Sequence, residues 1–146
     1  MKTVSEYEEK GRLLAKDLLK HSKQYKWIKD TYNQYSIYDQ VWQNLSGVYI
    51  LVEIKVRSCE MDTYNSALLE AIKYDALKDA AYRWGCFIYY VNFYNDGVKI
   101  YDISDLSDYK KSEVKAPKRT FVNKEDKTNK EIYELMNDKL IHKIKL

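Results

Sequence analysis

Cysteine is scarce in this chain: Cys59 and Cys86 are the only two, and neither sits in a CxxC pair or beside a histidine. A disulfide framework and a structural zinc site are therefore not expected, and the usage fits a reducing cytoplasm. Histidine is equally thin, with His21 and His142 far apart, which gives a His-metal centre or a His-activated nucleophile little support. No apolar run is long enough to cross a bilayer, and Met1-Lys2-Thr3-Val4-Ser5-Glu6 turns acidic where a signal peptide needs its apolar stretch. The expectation is a cytoplasmic protein that does not enter a membrane. Long Gly/Ser/Pro tracts are missing, and Pro117 is the single proline, so the chain does not read as disordered or fibrous. Charge of one sign is not abundant either. A net charge of +3 permits steering toward nucleic acid without demanding it.

What is present is a chain of 146 residues, 45% hydrophobic and 32% charged, enough for one domain, residues 1–146, with a single core. Tyrosine is abundant at 15, a ring that suits both a core edge and a wet groove and so decides nothing alone. Ser5-x-x-Glu8 has the form of a capping box, and Tyr7, Gly11, Leu14, Ala15 and Leu18 then recur at helical spacing to about His21. Residues 22–35 read as loop or edge strand, with Trp27 and Ile28 as anchors. Two β-prone runs around a polar turn ending in Gly47 then predict a hairpin. Tyr64 to Trp84 reads as one long helix stopping at Gly85. Cys86–Tyr94, the turn Asn95-Asp96-Gly97 and Val98–Ile103 read as two further strands. Residues 105–126 read as a basic loop carrying Lys110, Lys111, Lys115, Lys118 and Arg119, and Thr128-x-x-Glu131 as the start of a final helix through Leu140. The expected class is α/β, a mixed β-sheet flanked by helices in the order α-β-β-α-β-β-α.

The hairpin carries the chemistry. Its second strand puts Ile50, Val52, Ile54 and Val56 on one face and Leu51, Glu53, Lys55 and Arg57 on the other. Charges inside a core-like strand break the local rule, which is commoner at working sites than elsewhere. With an odd-numbered turn centred on Ser46, Asp39 lies directly across from Glu53; a two-residue loop would put it on the opposite face. Granted the first register, two facing carboxylates repel unless a cation sits between them, and Mg²⁺ or Mn²⁺ is the natural occupant. The Ile54 carbonyl is a candidate third ligand. Lys55 would hold or help deprotonate an attacking water, or neutralise charge on phosphorus.

Asp39, a spacing of fourteen residues, then Glu53-Ile54-Lys55 on the second strand of a hairpin resembles the signature of the PD-(D/E)xK nuclease superfamily. The run from Phe87 to Ile103 also resembles the closing hairpin of its small Holliday-junction-resolvase-like members, and the similarity spans about residues 5–104. The basic loop and last helix, 105–146, fall outside it. The resemblance implies a restriction-endonuclease-like core and a deoxyribonuclease using Mg²⁺ or Mn²⁺. Asp39, Glu53, Lys55 and an acid of the first helix, best placed at Glu8, would be its catalytic residues. It also implies DNA as partner, with RNA an open alternative, and action as a homodimer or within a larger nucleic-acid-processing complex. Tyr38 stands where the signature names a proline, and no Gly/Ser-Arg loop precedes Asp39, which counts against four-way-junction cleavage in particular.

Plainer alternatives stand beside each assignment. Glu-x-Lys is common on solvated strand faces. Glu8 is equally a capping-box residue. Lys73 could reach a phosphate from the rim, although a helical lysine is more often just solvated, and Arg57 is a candidate phosphate contact. The Lys110–Arg119 cluster is either a solvated loop or a phosphate-binding strip, with Tyr109 available for base stacking. A catalytically silent nuclease-fold protein, acting as a nucleic-acid-binding or regulatory subunit or inhibitor, is the alternative function.

Overall fold

A computed structural model describes residues 4–32, 37–117 and 127–146. The elements run α1 (Val4–Lys20), β1 (Tyr25–Asp30), β2 (Gln40–Asn44), β3 (Tyr49–Val56), β4 (Ala67–Glu70), α2 (Ala71–Trp84), β5 (Phe87–Tyr94), β6 (Gly97–Asp102), β7 (Ser112–Pro117), β8 (Lys127–Leu135) and β9 (Leu140–Lys145). Six strands form one sheet in the order β1-β2-β3-β5-β6-β9, and three form a second, β4-β8-β7. β3 and β5 run parallel while the other neighbours are antiparallel, so the larger sheet is mixed.

β3 lies inside that sheet and is covered on both faces, the setting in which a strand reads as an almost unbroken apolar run. Strand alternation divides its side chains. Ile50, Val52 and Ile54 pack with Ala15 and Leu19 of α1, and Leu51 packs with Ile88, Tyr90 and Leu77 of α2. Ile50, Val52 and Leu77 are fully buried, and each such side chain stabilises the fold by about 2 kcal/mol. Gly11 sets the approach of α1 to β3, since a Cβ there would stand 2.8 Å from Ile54 Cγ2 and 3.3 Å from Val56 Cγ2.

Three sequence expectations are corrected. The helix expected over 128–140 is instead strand β8 followed by β9, with β9 pairing to β6 and β8 to β4. Ile132 and Leu135 have the spacing of a helical stripe, yet Tyr133 and Leu135 alternate onto the buried side of a sheet, opposite Leu69 and Ala67. The helix expected from Tyr64 begins only at Ala71, because Ala67–Glu70 finds strand partners in β8. The stretch read as a loop over 105–126 contains β7; Lys118 and Arg119 lie outside the described residues. The observed order is therefore longer in strands than α-β-β-α-β-β-α, and it has two helices among the described residues. Residues 25–30 settle as a strand at the sheet edge. Among the described residues, no helix is long and apolar enough to cross a membrane.

Candidate active site

Asn44 and Val48 close the turn between β2 and β3 around three residues, Leu45-Ser46-Gly47. Asn44 N donates to Val48 O at 3.0 Å, and Gly47 N donates to Asn44 O at 3.0 Å. Asn44 Oδ1 accepts from both Ser46 N and Val48 N at 3.0 Å, an Asx-type closure. Gly47 closes the turn at φ 84°, a backbone region that side-chain-bearing residues avoid. The register that follows, Trp42 opposite Ile50 and Gln40 opposite Val52, carries Asp39 to the position across from Glu53. Asp39 is also tied to that strand: its N–H donates to Val52 O at 2.8 Å, and its Oδ2 accepts from Ile54 N at 2.7 Å. The odd-numbered turn centred on Ser46 is thus the one present.

Both acids are held against their usual ionisation. Burial, and next the Asp39 charge, push Glu53 up to about 7, while Lys73 and Lys55 pull the other way. Asp39 is raised as well, chiefly by burial; the Ile54 N–H, Arg12 and Lys73 oppose that rise, and the Glu8 charge adds to it. Glu53 Oε1 meets Lys73 Nζ at 3.2 Å, and the bond raises the Lys73 ammonium. Lys55 reaches solvent. Even so, protein crowds it enough that lost hydration, followed by the Lys73 and Arg57 charges, lowers its ammonium.

Arg12 is the residue that sequence reading missed. The residue is buried, and its guanidinium lies 3.6 Å from Asp39 Oδ1, 4.6 Å over the Tyr32 ring, and is bonded through Nη2 to Thr31 O at 2.7 Å. Behind it Gln40 is fully buried, donating to Arg12 O and Asp30 Oδ1 and accepting from Trp42 Nε1. The signal was available: Arg12 precedes Ala15 by three residues and Leu19 by seven, placing it on the buried stripe of α1.

The other candidates separate. Glu8 is exposed, and among the described residues no group of three or more His, Cys, Asp or Glu comes together, so Glu8 is not gathered with Asp39 and Glu53. Arg57 is committed internally, donating to Asn92 Oδ1 at 2.9 Å, Tyr90 Oη at 3.0 Å and Leu68 O at 3.1 Å. Lys73 sits at the site rather than on its rim. His142 bonds Tyr25 Oη at 2.8 Å as a packing residue, and Tyr109 Oη is occupied by Asp138 and by Met136 N.

What assembles is an acid pair, Glu53 buried and Asp39 half-buried, ringed by cations: Arg12 and Lys73 in contact, Lys55 beside them with no partner of its own among the described residues. Oxygen donors from Asp39 and Glu53 fit a hard divalent ion, and the excess of positive groups around them fits a phosphate. No protein-family model matches the sequence, and no curated protein matches it. Among solved structures, the fold is similar to the 1.6 Å structure of Archaeoglobus fulgidus Hjc, a Holliday junction resolvase from an archaeal hyperthermophile. The TM-score is 0.53 and the sequence identity 15%, over 92% of this chain and 91% of that one. The two proteins thus share a mixed α/β fold over nearly their whole lengths.

Proposed function

We propose that this chain is a divalent-metal-dependent nuclease that hydrolyses DNA phosphodiester bonds at Asp39, Glu53 and Lys55. The observation that carries the reading is the placement of half-buried Asp39 across from buried Glu53, two acids whose pKa values are both raised. A pair that resists ionisation in this way is stabilised by a cation between its members, and its donors fit Mg²⁺ or Mn²⁺. The likeness in fold to a protein that acts on Holliday junctions supports DNA as the substrate.

In this reading Asp39 and Glu53 would hold the ion, with the Ile54 carbonyl as the candidate backbone donor to complete the set. When bound, the ion supplies Lewis acidity and a water of lowered pKa. Lys55 stands two residues beyond Glu53 on the same face, with its ammonium destabilised, so it is suited to hold a water and take or give its proton. Lys73 and Arg12 supply positive charge where negative charge builds on the phosphoryl oxygens. Glu8 acts only through its field on Asp39.

The test is cleavage of plasmid, linear and four-way-junction DNA in Mg²⁺ or Mn²⁺ by wild type beside Asp39→Ala and Lys55→Ala. Cutting that persists unchanged in both variants overturns the assignment. One observation favours a second reading, a nuclease fold that binds without turnover: the Lys73 ammonium already neutralises Glu53 at 3.2 Å. Calorimetry with Mn²⁺ decides between them, since the binder takes up no ion.

A further inference from the structure

Just past β1, Thr31 is tied to the acid site through its backbone. Its N–H donates to Asp39 O at 2.9 Å, and its carbonyl accepts from Arg12 Nη2 at 2.7 Å. The next residue is Tyr32, so the main chain itself sets that ring beside Asp39. The ring is then fastened twice. The Arg12 guanidinium lies 4.6 Å from its centroid and covers one face, and the hydroxyl donates to Asp30 Oδ2 at 3.1 Å. Asp30 is itself held, its Oδ1 accepting from Gln40 Nε2 at 2.8 Å and from Trp27 Nε1 at 3.2 Å.

With one face on Arg12 and its hydroxyl on Asp30, Tyr32 is nevertheless 63% exposed. The face turned away from Arg12 is therefore the one that meets solvent. Tyr82 on the last turn of α2 is a contrast: it is exposed too, but neither its ring nor its hydroxyl has a partner among the described residues. On the far side of the acid pair a second apolar side chain, Ile72, is exposed one residue before the Lys73 that meets Glu53. The cations at the site suit a phosphate, and a held aromatic face next to them suits a flat ring. A ligand that offers both within one unit is a nucleotide whose base is unstacked.

We infer that the outer face of Tyr32 is a stacking platform for an unpaired nucleobase, so that the preferred form of the DNA substrate is single-stranded or frayed. Every base has a π-face, and stacking on an aromatic side chain is tolerant of sequence. A ring already seated on a guanidinium and a carboxylate has little freedom left to lose when a base lies on it. In a duplex the base faces are taken by their neighbours, and paired DNA offers the platform nothing except at an end. The proposal deepens the nuclease reading and rests on it for where cutting occurs.

Fluorescence anisotropy of a labelled single strand, and of the blunt duplex of the same sequence, tests binding apart from cutting when the full chain is held in EDTA across a salt series. The acids already face Arg12 and Lys73 under these conditions. Wild type is expected to bind the single strand more tightly than the duplex. Tyr32→Leu should bind the single strand about 5- to 150-fold more weakly, with an unchanged slope of log K against log salt, because no charge is removed. Tyr32→Phe should retain wild-type affinity and Tyr82→Ala should match it, with circular dichroism confirming that all are folded. Unchanged single-strand affinity in Tyr32→Leu, a wild type that prefers the duplex, or a lowered salt slope in Tyr32→Leu, which would show the ring acting only by holding Arg12, would each overturn the platform. Ring-dependent binding by a protein that never cuts would overturn the nuclease reading and leave the platform standing.

Discussion

Arg12 Nη2 lies 3.6 Å from Asp39 Oδ1, with the two side chains only 8% and 18% exposed. Removing one partner of so enclosed a pair leaves the other charge buried without compensation. Arg12→Gln is expected to destabilise the fold by about 3 kcal/mol at pH 8 in urea titrations. The loss should shrink as pH falls through the raised Asp39 pKa, because a protonated Asp39 needs no counter-ion. A loss independent of pH would mean that Arg12 acts through packing on Tyr32 alone.

The acid pair sets a pH dependence with a definite sign. Glu53 binds its proton more tightly folded, at about 7, than its ordinary 4.5, so its effect on stability is favourable below about 4.5 and is lost as pH rises toward 7. The groups facing it are Asp39, Lys73, Lys55 and, more distantly, Tyr90. In EDTA, thermal unfolding of wild type should fall relative to Glu53→Gln between pH 5 and pH 8, by up to roughly 3 kcal/mol. Added Mn²⁺ should recover that difference at pH 8 and do little at pH 5, where protons compete for the donors.

Lys73 competes for the same carboxylate that the ion would use. Its side chain is half exposed, so the pair is worth little by itself. Lys73→Met is expected to bind Mn²⁺ roughly two- to fivefold more tightly in calorimetry, the equivalent of an exposed ion pair removed. Its kcat should nonetheless fall, because the cation is absent when phosphoryl charge develops. Weaker Mn²⁺ binding in this variant would mean that Lys73 orients Glu53 instead of competing for it.

Gly11 carries the seat of α1 on the strand that bears Glu53. Gly11→Ala puts a methyl 2.8 Å from Ile54 Cγ2, and overpacking of this kind costs about 1–3 kcal/mol. Urea unfolding should show that loss together with weaker Mn²⁺ binding, since relieving the clash moves β3. A stable variant with unchanged binding would show that α1 can shift without disturbing the site.

The hairpin was legible because its information is local: turn chemistry at Asn44 and Gly47, strand alternation from Ile50 to Val56, and a loop length that places Asp39. The α2 stop at Gly85 and the strands on either side of Asn95-Asp96 were legible for the same reason. Ala67–Glu70 was misread because it becomes a strand only by finding Ile132–Leu135 across some sixty residues of chain, and Thr128–Leu140 because its strands form on β4, β7 and β6. Arg12 was passed over because an arginine among leucines looks like the polar edge of a stripe until Asp39 is placed beside it. Arg57 was read outward because the sequence cannot show Asn92 and Tyr90 waiting on the next strand.

The three-residue loop at Ser46 also bears on how the site comes to exist. Asp39 and Glu53 are joined within one hairpin, which forms in about 1–10 μs, well before pairings such as that of β3 with β5. Their alignment is therefore an early event, whereas their burial by α2 and the second sheet is a late one. A variant that folds incompletely keeps the two acids opposite each other but hydrated, with ordinary carboxylate acidity. The return of Glu53 from about 7 toward 4.5 then serves as a titratable clock for closure of the core over the hairpin.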